Sequence, residues 1–457
     1  MLKLAILGYG AEGKSVEQYF KTHPYETVAP SDIEIKVFDN FKDEEIDSLG
    51  LENYDVVFRS PSVRPHYDFR KFSTDDDHND NEDEYKQEFK KPYWTSATKY
   101  FFEHCPAEII AVTGTKGKGT TCSMITTLLN SINTYAYKDT ANAPKTYLVG
   151  NIGIPPLDVL DDITENDNVV FEMSSFQLWD LHQGSFVGVL LRIEPDHLNV
   201  HKDFEEYVYA KSAVSRYKTE CDFLVYFRDN ETTKSLAEKS DARRLPYPIR
   251  TESPKLKELL DSLKIPGRHN RENAEAALLA VSARFFSGDL NKMLDSELYP
   301  ALKSGLENFK GLPHRCQFLR ELNNVKYYDD NYSSALPALD VALSAFKDYP
   351  TVLIAGGYSK GTDAEVKSRI FSAKNLKKAI LIGDTAKILA EGEDESKYEI
   401  ATDLKDAVAR ARATAEQLAK KDQPAIVLMS PGFASFDWFK NFTDRGEQFT
   451  KIVKELK

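Results

Sequence analysis

Residues 107–132 read AEIIAVTGTKGKGTTCSMITTLLNSI, and the order of residue types in this stretch sets the fold. Ile109–Val112 is a continuous apolar run, as in a strand buried on both faces. Gly114-Thr115-Lys116-Gly117-Lys118-Gly119-Thr120 breaks the run, and an amphipathic helix follows. A strand, a glycine-rich turn and a helix in that order make a phosphate cradle. Glycines let successive N–H groups turn inward, and the helix N-terminus adds partial positive charge. Lys118 can then reach β- and γ-phosphates, and the Thr120 hydroxyl can take a magnesium position. The first glycine interval is shorter than in G-x-x-x-x-G-K-[ST], and Gly119 separates the lysine from the threonine.

The same alternation runs outward in both directions. Upstream, LKLAIL, EIKVFD and YDVVFRSPSV read as strands, with a helix beginning at KSVEQYF. Gly8 to Gly13 is a G-x-G-x-x-G turn between strand and helix, and Asp39 ends the second strand. Such a turn recognises pyrophosphate, so Gly10, Ala11, Glu12 and Gly13 suit a dinucleotide or the diphosphate of another nucleotide. Downstream, NVVFEMSS, VGVLLRIEP and DFLVYF read as strands, and IPGRHNRENAEAALLAVSARFF as a loop entering a long helix. VKYYDD, TVLIAGG, KAILIGD and AIVLMSPG complete the strand series. The reading is α/β in three units with mostly parallel sheets: 1–106, 107–311 and 312–457. TDDDHNDNEDE, Thr74 to Glu84, has no apolar residue and reads as a solvated loop.

The 457 residues carry 59 Lys and Arg against 72 Asp and Glu, a net charge of −13. Such a chain has no general attraction for nucleic acid. The 4 cysteines are scattered without a C-x-x-C pair, which suits a reducing compartment and argues against a zinc site. No stretch approaches the roughly 18 apolar residues of a membrane span, so a cytoplasmic chain is expected by default; a monomer is expected, although nothing in the sequence fixes the oligomeric state.

Three further positions carry chemistry. Glu172 ends the run NVVF, where a carboxylate faces the crevice beyond a parallel strand and suits magnesium. Asp196, His197 and His201 lie just past another apolar run, in RIEPDHLNVH. Lys211 lies in EEYVYAKSAVSRY, where the ordinary reading is a solvated helix lysine.

Together these pieces resemble the Mur ligase family. The strings TGTKGKGTT, GNIGIPPL, FEMSSFQL, EPDHLNVH, Tyr207 to Lys211, PGRHNRENAEAA, GLPHR, AGGYSKGTD and LMSPGFASFDWFKNFTDRGEQF occur in the family's order over nearly the whole chain. FEMSSFQL and the last string look most like its glutamate-adding branch. The resemblance implies a Rossmann-like N-terminal domain, a central ATPase domain of phosphate-loop type and a Rossmann-like C-terminal domain. It implies ATP-dependent joining of glutamate to UDP-N-acetylmuramoyl-L-alanine through an acyl phosphate, in peptidoglycan synthesis. Lys118, Glu172, His197 and Lys211 are then catalytic. Thr120, Glu172, His197 and Lys211, the last as a carbamate, hold two magnesium ions. Gly114, Thr115, Lys116, Gly117, Gly119, Asn273, Arg315 and Asp330 join Lys118 and Thr120 around ATP. Asn151, Lys360, Ser435 and Phe442 join the Gly10–Gly13 turn around the other substrates.

Three departures stand out. Gly119 occupies the branch's usual Ser or Thr position, which brings the loop nearer to folylpolyglutamate synthases of the same superfamily. Tyr332 stands where a lysine is usual near the amino-acid site. Asn40 and Phe41 do not match the usual uracil-side pair. The sequence leaves open D- against L-glutamate, another acidic amino acid, a folate-type polyglutamate ligase, and a dinucleotide sensor in which the ligase residues are idle.

Overall fold

The computed structural model describes residues 1–65, 92–138, 140, 142–250, 253–359, 361 and 363–457. The acidic stretch 74–84 and Lys360 lie outside the described residues. The chain divides into two compact units, one of residues 1–257 with 272–305, the other of 258–271 with 306–457.

The first unit holds two all-parallel sheets among its described residues. One has the order β2-β1-β3-β4, from β1 (Leu2–Leu7), β2 (Ile33–Phe38), β3 (Val56–Arg59) and β4 (Tyr93–Ser96). The other has the order β10-β9-β8-β5-β7-β6. Its strands are β5 (Ile109–Thr113), β6 (Thr146–Gly150), β7 (Asn168–Glu172), β8 (Val187–Leu190), β9 (Phe223–Phe227) and β10 (Arg243–Tyr247). The strand order reverses at β1 in the first sheet and at β5 in the second. A crevice opens beyond the carboxyl ends of such strands, where ligands of open α/β sheets bind. Both glycine-rich turns lie there. Gly13 permits the first: a Cβ on it would stand 2.2 Å from the Gly8 carbonyl oxygen.

The second unit carries one sheet, β11-β12-β16-β13-β14-β15. Its strands are β11 (Gln317–Leu322), β12 (Val325–Asp329), β13 (Thr351–Gly356), β14 (Leu376–Ile382), β15 (Tyr398–Ile400) and β16 (Ala425–Met429). β11 is antiparallel to β12 and the rest are parallel. No helix among the described residues is long and apolar enough to cross a membrane.

One apolar core serves both sheets of the first unit, from Ile6, Phe20 and Phe58 through Phe101 to Val169 and Phe171. A buried ion pair ties the same two sheets together. Arg59, at the end of β3, donates from Nε to Asp180 Oδ2 at 3.0 Å and also to the carbonyls of Phe176 and Val63, each at 3.2 Å. Burial opposes the Asp180 charge, but the guanidinium outweighs it and holds the carboxyl well below its usual range. Gln177 Nε2 adds a bond to Glu12 Oε1 at 2.7 Å, and Ser15 one to Asp158 at 2.5 Å. Removing one member of a buried pair strands the other charge. Asp180→Ala is therefore expected to lower unfolding free energy by about 3–5 kcal/mol in denaturant titration. A loss below about 1 kcal/mol would show that the pair is not holding the two sheets together.

Candidate active site

The phosphate loop is shaped by two close approaches. Gly114 has φ +152°, and a Cβ there would lie 2.6 Å from the Leu191 Cβ. Gly117 has φ +89°, and a Cβ would meet Asn273 Oδ1 at 2.7 Å. Only glycine fits either place, because the left-handed backbone and the crowding act together. Gly117 also precedes the helix Lys118–Tyr137 and brings no side chain to cap it. The first helical N–H groups are left to the loop's concave side, as an anion site requires.

Two lysines converge on one oxygen of this loop. Lys118 Nζ donates to the Gly114 carbonyl at 3.1 Å and to that of Thr115 at 3.2 Å. Lys211 Nζ donates to the same Gly114 carbonyl at 2.9 Å and to Thr113 Oγ1 at 3.3 Å. Lys211 is not a solvated helix lysine, being only 1% exposed. Burial pushes its pKa well below the usual lysine range, and the nearby Lys118 charge pushes the same way. Tyr207, one turn earlier on the helix Phe204–Arg216, faces the loop as well. Its hydroxyl lies 3.0 Å from Thr115 Oγ1, and its ring centre 4.7 Å from Lys211 Nζ. The i, i+4 spacing puts both on one helix face.

Glu172 ends β7 beside Val112 of β5 and is 3% exposed. Its Oε1 accepts from Asn151 Nδ2 at 2.8 Å, and its Oε2 is buried without a partner. A buried carboxylate oxygen left open beside a phosphate loop is the ligand a hard cation takes. The Thr121 hydroxyl is likewise buried without a partner, whereas Thr120 is half-buried. Among the described residues no group of three or more His, Cys, Asp or Glu converges. Magnesium takes most of its ligands from phosphates and water, so one carboxylate and one hydroxyl fit it.

The two histidines after β8 separate in role. His197 is exposed, has φ +54°, and packs edge-on against Phe176 at 5.1 Å. His201 is buried and stacked on Phe176 at 5.3 Å, and its Nε2 pairs with Ser175 Oγ at 2.9 Å. Burial pushes His201 down to about 4, so it is a neutral packing residue. The loop that carries His197 is anchored to the phosphate loop. Thr115 Oγ1 donates to the Glu194 carbonyl and accepts from the Glu194 N–H, both at 2.9 Å.

At the first glycine turn, Asp39 accepts from the Tyr9 N–H at 3.1 Å. An added Cβ at Gly10 would meet nothing within 4 Å, so the turn's backbone is open there. The exposed Ala11 follows at the helix start. Glu12 is taken up by its bond to Gln177, and burial raises its pKa.

In the second unit, Asp330 follows β12 and is buried. It accepts from the Cys316 N–H at 3.1 Å and from Ser430 Oγ at 2.7 Å. Ser435 is buried and Phe442 is 40% exposed, both beyond the end of β16. Arg315 is exposed.

Sequence reasoning did not single out Thr113, which receives Lys211. A threonine closing an otherwise apolar buried strand was the available signal. His314 and Asp329 were also missed as a pair; they meet at 2.7 Å between Nδ1 and Oδ2.

Residues 112–281 match the Mur ligase middle domain. The chain is 32% identical over 425 residues to a UDP-N-acetylmuramoylalanine–D-glutamate ligase of Clostridium tetani, covering 89% of this chain and 84% of that one. A ligase of the same name from Acetivibrio thermocellus is 32% identical over 487 residues, covering 99% and 96%. Among solved structures, a UDP-N-acetylmuramoylalanyl-D-glutamyl-2,6-diaminopimelate–D-alanyl-D-alanyl ligase from Acinetobacter baumannii superposes with a TM-score of 0.52 at 16% identity, covering 79% of this chain and 78% of that one. Site and relatives define an ATP-dependent ligase that closes a C–N bond. The chain belongs to the Mur ligase family.

Burial raises the Asp330 carboxyl to about 7. The folded chain therefore keeps a proton there that the unfolded chain loses near pH 4. Between those two values the native state binds more protons, so this group makes stability fall as pH rises, and it adds no slope above about 7. Asp330→Asn should flatten that part of the stability–pH curve in thermal melts. An unchanged slope would refute the assignment.

Proposed function

We propose that the chain joins D-glutamate to the free carboxylate of UDP-N-acetylmuramoyl-L-alanine with hydrolysis of ATP to ADP and phosphate. The observation that carries the chemistry is the meeting of Lys118 and Lys211 on the Gly114 carbonyl, with the open Glu172 oxygen at the end of the strand beside β5. The substrate reading is supported by the two D-glutamate ligases that align over most of this chain. In this reading residues 1–106 bind the UDP substrate, 107–311 bind ATP and 312–457 bind the amino acid, all in a cytoplasmic monomer.

The substrate carboxylate attacks the γ-phosphorus, the bond to the β-γ bridging oxygen breaks, and ADP leaves with that electron pair. The glutamate amine then adds to the acyl phosphate carbonyl. The tetrahedral adduct expels phosphate and loses a proton, leaving the amide. Lys118 exchanges its loop carbonyls for phosphate oxygens, placing its charge where negative charge accumulates. Gly114 to Thr120 hold the phosphates by backbone N–H groups. Asn273 borders Gly117 on the nucleotide side. Arg315 and Asp330 serve ATP, and Ser435, Phe442 and Lys360 serve the amino acid. Asn151 orients Glu172. Thr120, Glu172, His197 and Lys211 would hold two magnesium ions, which neutralise phosphate charge.

Lys211 acts as a carbamate in this scheme. Its neutral amine attacks carbon dioxide and releases a proton, turning a buried amine into an anion suited to metal. Replacing Lys211 with Ala should lower kcat about a hundredfold or more, and a short carboxylic acid added to the buffer should restore part of it. Unchanged activity in the Ala variant sinks the carbamate.

The direct test is phosphate release from ATP and magnesium with UDP-N-acetylmuramoyl-L-alanine, offering D- and L-glutamate separately. Release with the D form alone is expected. Release with L-glutamate alone, or none with either, overturns the substrate assignment.

A further inference from the structure

Arg315 sits in an unusual turn. The residues on both sides of it, His314 at φ +61° and Cys316 at φ +43°, are left-handed without being glycine. Such positions are strained and persist only when their surroundings fix them. Here they are fixed several times over. His314 Nδ1 pairs with Asp329 Oδ2 at 2.7 Å, and the Cys316 N–H donates to Asp330 Oδ1 at 3.1 Å. Gly446 leaves the room His314 needs, since a Cβ there would stand 2.2 Å from its Nδ1. The Tyr332 N–H closes the arrangement by donating to the His314 carbonyl at 2.9 Å.

The Arg315 backbone is thus held, yet its guanidinium makes no ion pair or hydrogen bond among the described residues. Its recorded contact is the face of Tyr332, with the guanidinium carbon 4.2 Å from the ring centre. That ring is in turn braced edge-to-face by Phe442 at 4.9 Å. Both rings are partly open, Tyr332 at 48% and Phe442 at 40% exposure. A stack of this kind removes rotational freedom from a long side chain while leaving its N–H donors free for an incoming anion. A lysine at 332 could not do so, because two cations would repel.

We infer that Tyr332 is a positioning residue for the ligation reaction: its ring holds the otherwise unpaired Arg315 guanidinium with its donors open to an incoming phosphate group, with Phe442 as its brace. This rests on the reading of Arg315 as an ATP-binding residue given above. The hydroxyl is not needed, and the flat face is.

The experiment compares the full-length chain with Tyr332→Phe, Tyr332→Ala, Arg315→Ala and the double Ala variant. KM for ATP and kcat are measured by phosphate release with UDP-N-acetylmuramoyl-L-alanine and D-glutamate. Tyr332→Phe should stay within about twofold of the parent, while Tyr332→Ala raises KM for ATP about fivefold. The double variant should be no worse than Arg315→Ala alone, because the ring acts through the guanidinium. Melting temperatures should stay level across the Tyr332 variants, since the side chain is half exposed. The proposal is overturned if the Phe variant is as damaged as the Ala variant, if the two Ala losses simply multiply, or if Tyr332→Ala leaves KM unchanged. A parent chain that releases no phosphate overturns the functional reading instead, and this inference with it.

Discussion

The site depends on one carbonyl oxygen. Gly114 ends the central strand of its sheet, and its left-handed turn aims that oxygen at Lys118 and Lys211 together. Two ammonium groups cannot comfortably share one acceptor in a dry place. Burial acts on this conflict by pushing the pKa of Lys211 down, and the nearby Lys118 charge pushes the same way. The loop therefore brings together a half-buried lysine, Lys118, and a fully buried one, Lys211, whose pKa is pushed down. If either glycine carried a side chain, the backbone would have to move away from Leu191 or Asn273, and both lysines would lose their common acceptor.

The inner strands were legible in the sequence because most of their residues are apolar and buried: β1, β3, β5, β7, β8, β9, β12, β13, β14 and β16, with lysines entering only β1, β12 and β14. The strands that the pattern did not announce are β4, β6, β10, β11 and β15, and every one lies at the edge of its sheet. An edge strand needs fewer apolar residues and tolerates breakers. β10 contains Pro246, which only an edge accommodates without losing a ladder bond. The information that places an edge strand lies in its neighbour rather than in its own residues.

The candidate site was legible to a different degree. Lys118 and Glu172 could be placed from local order alone, since a turn after a strand and a carboxylate at a strand end have fixed directions. Lys211 could not, because nothing in EEYVYAKSAVSRY tells a buried helix lysine from a solvated one. Its burial follows from which face of the helix meets β8 and the loop, a tertiary fact. His201 shows the converse. It lies as near in sequence to the presumed metal ligands as His197 does, yet stacking on Phe176 removes it from the chemistry. Asp330 was expected around ATP, and its two oxygens are already engaged by Cys316 and Ser430. Only the assembled unit reveals that competition.

The Arg59–Asp180 pair joins two segments that a sequence reading assigns to different domains. The first sheet and the second also share one apolar core. Two segments can be separated without loss only where little charge and little apolar surface crosses the seam. Here a split near residue 106 would leave an aspartate buried without its counter-ion and open the common core to water. The two sheets of the first unit are therefore one block for folding, since neither can be cut away without exposing what the other covers.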